Sequence, residues 1–243
     1  MREGHKLPDI VAARQRATDL LELRPGDHIV DVGCGPALDA GDLSSIIGPD
    51  GELVGVDASE TMIAAARRYA SALEAKTRFE VASAYELPFG DATFDASRAE
   101  RLFMHLSEPQ QALNEMSRVT RPGGRICVVD FDWHTLLIDH PEAATTEKLL
   151  SDFADDFADG RIGRKLRRMF RDAGLQEAKL EMRPVQFTPA FSELLFAGYF
   201  ARRQTDGRLQ AHQISGWWEH LKAAQDNGTY FVAVVLFIAA ATK

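Results

Sequence analysis

The stretch Ile29-Val30-Asp31-Val32-Gly33-Cys34-Gly35-Pro36-Ala37 constrains the fold more than any other part of the chain. Aliphatic residues at 29, 30 and 32 run into a segment where side chains nearly vanish. An apolar run that ends in closely spaced glycines predicts a buried parallel strand opening into a tight turn. Glycine at 33 and 35 lets backbone amides approach a ligand with no Cβ in the way. Such a ligand lies at the carboxyl end of the strand, where open α/β sheets bind small molecules. A plain strand-to-helix turn is the simpler reading, but it needs one glycine and not this spacing. The stretch Glu52-Leu53-Val54-Gly55-Val56-Asp57-Ala58-Ser59 supports the ligand loop, being a second apolar strand that ends in an acid. An acid about 20 residues beyond a glycine loop lies beside it across adjacent parallel strands, where it can accept both ribose hydroxyls. Leu38 breaks the Gly-x-Gly-x-x-Gly or Ala pattern of dinucleotide binders, and Pro36 stands inside the turn.

The rest of the chain alternates strands and helices. Pro8 to Leu23 spaces Ile10, Val11, Ala17, Leu20 and Leu21 among charges, which predicts a helix closed by Pro25-Gly26. After the first strand, a helix from about Asp39 to Ile47 ends in Gly48-Pro49-Asp50-Gly51. Ser59 is a fitting N-cap for a helix running through Glu74, with Met62, Ile63, Ala66 and Tyr69 on its apolar face. Strands are expected over Arg78 to Ala82, from Ala92 onward, over Arg125 to Asp130, over Ala178 to Gln186 and over Tyr230 to Ala240. Between them, Glu108 to Thr120 and the basic segment Arg161 to Arg171 read as amphipathic helices, the latter with a solvated charged face and Gly174 closing it. This alternation predicts a parallel, doubly wound sheet.

Asp31-x-Gly33-x-Gly35 resembles motif I of the class I S-adenosylmethionine-dependent methyltransferases. Leu87-Pro88-Phe89 with Phe94-Asp95, then Arg118-Val119-x-Arg121-Pro122-Gly123-Gly124-Arg125, are similar to the small-molecule members related to the ubiquinone and menaquinone biosynthesis enzymes. The resemblance covers residues 20 to 132. It implies a single Rossmann-like domain over 1–243, with a mostly parallel seven-stranded sheet, an antiparallel last strand and a helical cap from segments 133–160 and 189–227. The implied cofactor is S-adenosyl-L-methionine. Gly33 and Gly35 would approach its methionine end, Asp57 its ribose, Ala58 and Met62 its adenine, and Ser83 and Ala84 the adenine edge, with Asp31 and Arg98 completing the set. Ala37 replaces a glycine frequent in the family. Ser83 replaces a frequent aspartate, and its hydroxyl is a weaker acceptor for an adenine amino group.

The reaction expected from this resemblance is methyl transfer to an O, N or C atom of a small organic acceptor. Such a displacement needs alignment, exclusion of water and, for an acidic acceptor, a general base. Residues after strands four and five are the candidates: Arg98, Glu100 and His105, then Asp132, His134 and His140. His105, in Leu102-Phe103-Met104-His105-Leu106, and His134, beside Trp133, stand first. Either can instead be a structural histidine, and Asp132 a helix cap. A protein of this fold that binds the cofactor without methylating, such as a cyclase, is the alternative. A dehydrogenase is a third reading, opposed by Leu38. Phe191, Phe196, Tyr199, Phe200, Trp217 and Trp218 make the 189–227 insertion aromatic, either as core or as a lid over the acceptor.

A net charge of −8 argues against a nucleic-acid partner, since phosphate binding is driven by Lys and Arg. Cys34 and Cys127 have no metal-ligand spacing, and no metal is expected; both fall at predicted buried strands, which suits reduced thiols in the cytoplasm. The apolar run Phe231 to Ala241 is too short to span a bilayer and reads as a central strand, so no membrane partner is expected. A homodimer is compatible with these features.

Overall fold

The computed structural model describes residues 2–70, 73, 75–207 and 210–243. Helix α1 (Arg2–His5) precedes α2 (Pro8–Leu21), which starts on a proline whose missing N–H would be unpaired there in any case. Then follow β1 (His28–Val32), α3 (Ala40–Ile47), β2 (Glu52–Asp57), α4 (Glu60–Ala70), β3 (Lys76–Val81) and β4 (Phe94–Glu100). A 3-10 turn at Phe103–His105 leads to α5 (Pro109–Val119) and the long strand β5 (Thr120–Ile138). The second half comprises α6 (Ala143–Ala154), α7 (Ile162–Asp172), β6 (Gln176–Gln186), α8 (Pro189–Thr205), α9 (Ala211–Asp226) and β7 (Val232–Thr242).

The sheet has seven strands in the order β3-β2-β1-β4-β5-β7-β6. The first five neighbours pair in parallel, and β7 runs antiparallel to both β5 and β6. The fold class is the expected one. From β1 the chain winds outward to β2 and β3, then returns to β4 on the other side. That reversal opens a crevice at the carboxyl ends of β1 and β4. Asp31 faces Arg98 across this pair in register. Val30, Val32 and Val54 are wholly buried, as strands covered on both faces require.

Two boundaries that bear on the site differ from expectation. β5 continues past Asp130 to Ile138 because β7 pairs with it along that length, after a register shift between Asp132 and Leu137. Residues 133–138 therefore belong to the sheet rather than to the cap. Arg98 and Glu100 lie inside β4, not after it. Helix α4 extends to Ala70, and the expected end at Glu74 lies outside the described residues.

The basic helix α7 buries Ile162, Leu166, Met169 and Phe170 and turns its arginines outward. The 189–227 insertion is helical. Its aromatics meet α6 and one another: the Phe196 ring stands 5.0 Å from Phe153 of α6, and Trp217 of α9 stands 5.3 Å from Phe200 of α8. Trp217 is buried, and its indole N–H donates to Thr146 Oγ1 at 3.1 Å. Arg203 of α8 pairs with Asp152 and Asp156. No helix among the described residues is long and apolar enough to cross a membrane.

Candidate functional site

Gly33 N and Cys34 N both donate to Val56 O, at 2.7 and 3.0 Å, so the chain leaving β1 folds over the end of β2. Gly33 and Gly35 take φ of +73° and +53°, values that L side chains rarely adopt. A Cβ on Gly33 would also come within 2.8 Å of the Leu102 side chain. Asp57 fixes the loop from the next strand. Its Oδ2 accepts from Gly35 N at 2.9 Å and its Oδ1 from Ser59 N at 2.8 Å. Each carboxylate oxygen keeps a lone pair for a further donor. Ser59 caps α4 as expected, accepting from Met62 N at 3.3 Å.

A cavity of about 580 Å³ rests on this loop, a volume within the range of ligand sites. Asp31, Gly33, Gly35, Asp57, Met62, Arg98 and His105 line it together. Ala58, Ser83 and Ala84 are not part of that lining. Ser83 Oγ accepts from Tyr85 N at 3.2 Å, which closes the loop after β3. The opposite wall is apolar and aromatic, with Phe131, Trp133, Phe157, Phe191 and Leu195. Trp133 stacks on Phe157 at 5.2 Å, and its N–H is taken by Met104 Sδ. The cap thus reaches the cavity through Phe191, Leu194 and Leu195 of α8. Trp217 lies away from it, packed inside the cap.

The two proposed bases separate. His105 opens on the cavity, with its ring 5.6 Å from Phe157, and burial depresses its pKa. The turn that carries it is held from below by Asp130, whose oxygens accept from Met104 N and Phe131 N. Burial pushes the Asp130 carboxyl up to about 7, against these hydrogen bonds. His134 stands outside the cavity. Side chains alternate along a strand, so with Phe131 and Trp133 facing the cavity, residues 132 and 134 face away. His134 Nε2 meets Asp155 Oδ1 at 2.9 Å, and Asp132 pairs with Arg164 at the start of α7. That backbone contact, Arg164 N to Asp132 Oδ2 at 3.3 Å, makes Asp132 a remote helix cap. His140 is buried in the cap, bonded to Trp217 O at 3.3 Å and accepting from Glu142 N.

Beneath the cavity lies a charge cluster that sequence reasoning reached only at Arg98, Glu100 and Asp31. Arg98 is 4% exposed and pairs with Asp31 at 3.5 Å, Asp39 at 3.0 Å and Glu100 at 2.7 Å. Arg14 of α2 reaches Asp39 at 2.6 Å and Glu100 at 3.5 Å, and His5 of α1 reaches Asp39 at 3.0 Å. Burial pushes the Asp31 carboxyl up to about 7, with Arg98 working against the rise. Asp39 is buried too, but the His5 hydrogen bond and the charges of Arg98 and Arg14 hold it below the usual carboxylate range. Arg14 and His5 carry no local motif. Only the packing of α1 and α2 over the β1–β4 crevice brings them here.

The glycine cradle, the Asp57 carboxylate and the enclosed volume together suit a nucleoside-bearing small molecule. Among the described residues no cluster of His, Cys, Asp and Glu could hold a metal ion. Residues 23–174 match the family described as a methyltransferase domain. Over 231 residues, 92% of this chain, the sequence is 34% identical to an uncharacterised protein carried in a transposon of Streptomyces fradiae. It is 39% identical over 112 residues, 43% of this chain, to a demethylmenaquinone methyltransferase of Symbiobacterium thermophilum. These matches take in 64% and 43% of the relatives' own lengths, so the chain spans less than two thirds of either. Among solved structures, the [4+2]-cyclase SpnF superposes with a TM-score of 0.61 at 21% identity, covering 95% of this chain and 80% of that one, a likeness in fold.

Proposed function

The chain belongs to the class I S-adenosylmethionine-dependent methyltransferase family, and from that premise we propose that it methylates a small organic acceptor held between the glycine loop and the cap. One observation carries the reading. A single cavity joins the Asp31-Gly33-Gly35 loop and Asp57 to an aromatic wall, at the switch point of the sheet.

When bound, S-adenosylmethionine supplies a methyl group activated by its sulfonium. Gly33 and Gly35, with no Cβ in the way, would let its methionine end approach the loop, and the free lone pairs of Asp57 would accept from the ribose hydroxyls. Met62 would border the adenine, and Asp31 and Arg98 form the floor. Phe131, Trp133, Phe157 and Leu195 exclude water and hold the acceptor against the loop, which is most of what a methyl displacement asks of a protein. His105 takes the proton released by an acidic acceptor, since its depressed pKa keeps it neutral near pH 7. The acidic net charge of −8 favours a small molecule over nucleic acid as the acceptor. The buried free thiols Cys34 and Cys127 favour a reducing compartment such as the cytoplasm.

Calorimetric titration of the purified protein should show binding of S-adenosylmethionine and S-adenosylhomocysteine, and none of NAD. Binding of NAD with neither sulfur nucleotide would overturn the reading. Mass spectrometry of a cell extract incubated with protein and methyl-labelled cofactor should then reveal a labelled acceptor. Tight cofactor binding with no labelled product from any extract would favour a cyclase-like role instead.

A further inference from the structure

Arg101 is part of the charge cluster, yet it stands apart from its other arginines. Its side chain is 27% exposed, against 5% for Arg98 and 8% for Arg14, and it lines the cavity. Among the described residues, Glu100 Oε1 is the carboxylate oxygen within ion-pair distance, 3.3 Å from Nε, and Nε makes no hydrogen bond to it. Neither terminal nitrogen of its guanidinium hydrogen-bonds a described residue. The neighbouring acids have other partners as well: buried Asp130, on which the Arg101 charge acts, accepts from Met104 N and Phe131 N. Glu100 Oε2 accepts from Arg98, and Asp39 is shared by His5, Arg14 and Arg98.

The backbone points the same way. Arg101 has φ of +54°, a left-handed conformation that strains a residue with a Cβ and that collects at functional sites. Its N–H donates to Val129 O of β5 at 2.8 Å, which holds the strain in place. Arg101 therefore sits over the β4–β5 side of the crevice, two residues along β5 from Phe131, and away from Asp57 on β2. Leu102, Met104 and Phe131 make the cavity lining beside it apolar, and the counter-charge that lines the cavity next to it is Glu100. The two terminal nitrogens, which lack a hydrogen-bond partner among the described residues and lie beside the apolar wall, are suited to a ligand oxyanion, which they can hold bidentately.

We propose that Arg101 binds an oxyanion carried by the acceptor, so that the substrate class is an apolar, aromatic-sized molecule bearing a carboxylate or an acidic hydroxyl. The proposal rests on the methyltransferase reading of the cavity. It is tested by titrating naphthoate, and its neutral isostere naphthamide, into protein saturated with S-adenosylhomocysteine.

Wild-type protein should prefer naphthoate by about tenfold to a hundredfold, the worth of a charge-assisted hydrogen bond. Arg101→Gln should remove the preference and leave naphthamide binding unchanged. Arg101→Lys, which keeps the charge but not the fork, should retain only part of it, and it decides the matter if the glutamine variant does not fold. Absence of the preference in wild type, or its full persistence in the variants, would overturn the proposal. So would an Arg101→Gln variant that loses affinity for S-adenosylhomocysteine but not for methylthioadenosine, since the anion would then be the cofactor's own carboxylate. Failure of wild-type protein to bind S-adenosylhomocysteine would sink the methyltransferase reading instead, and the naphthoate preference would then be measured on the free protein.

Discussion

Replacing Asp57 by alanine removes one carboxylate that does two things. It accepts from Gly35 N at 2.9 Å and from Ser59 N at 2.8 Å, and so ties the glycine loop to the end of β2. Hydrogen bonds to a charged group contribute about 1.5–3 kcal/mol, and water in the cavity can take over part of that role. A loss of about 1.5–3 kcal/mol for the pair corresponds to a melting temperature lower by about 3–12 °C in a domain of this size. The same substitution removes the acceptor for the ribose hydroxyls, which should weaken S-adenosylhomocysteine by about tenfold to a hundredfold or more. Asp57→Asn keeps one acceptor oxygen and turns an NH2 toward the second amide, so it should fall between wild type and alanine in both assays. Thermal melts and calorimetric titration measure the two effects separately. A folded Asp57→Ala protein that binds S-adenosylhomocysteine as wild type does would refute the argument, because the acid would then serve the loop alone.

Burial disfavours the charged form of His105, so its imidazole stays neutral to below the ordinary value of about 6.5. The acid limb of kcat/KM should therefore lie below about pH 6.5, and His105→Gln should abolish that limb and lower kcat by about a hundredfold or more. Between its depressed pKa and the unfolded value the native state binds fewer protons, so this residue makes stability rise with pH across that window. Trp217→Ala should cost about 3–5 kcal/mol of stability and leave methyl transfer per folded molecule unchanged, whereas Leu195→Ala should raise the KM of the acceptor. Equal loss of turnover in both would place Trp217 at the cavity. Gly33→Ala should abolish cofactor binding, since the new Cβ meets a left-handed φ and the Leu102 side chain at 2.8 Å. Retained affinity there would mean that the loop does not contact the ligand.

The glycine loop and the acid beside it were legible because their residues are close in the chain and their chemistry is restrictive. Few residues other than glycine tolerate the conformations at 33 and 35, and an acid at the end of the adjacent strand is placed by sheet register alone. The α7 stripe was legible for a similar reason, since helical periodicity needs no partner to be seen. The charge cluster was not. Beyond Asp31, Arg98 and Glu100, its members His5, Arg14, Asp39 and Arg101 are ordinary surface types in sequence, and nothing local marks Arg14 as 7% exposed. Burial of such groups follows from which helices cover the β1–β4 crevice, and that is a property of the packed fold.

The acceptor side shows why His134 and His105 parted company although they were read from the same kind of evidence. Both follow a strand in the chain, but what selects a cavity residue on β5 is parity. Phe131 and Trp133 present their rings to the cavity, while Asp132 and His134 turn to α7 and the loop before it. The length of β5 decides this, because a strand ending at Asp130 would have left residues 132 and 134 free to turn either way. Its continuation is imposed by β7, which pairs with β5 as far as Ile138. His105 escapes the constraint by standing on a turn rather than a strand. That turn is anchored to β5 through Asp130, and Arg101 is anchored to it through Val129. The segment from Arg101 to His105 is thus the piece of chain on which cation, apolar contact and proposed base converge, and it is positioned by the residues of β5 immediately before the aromatic wall.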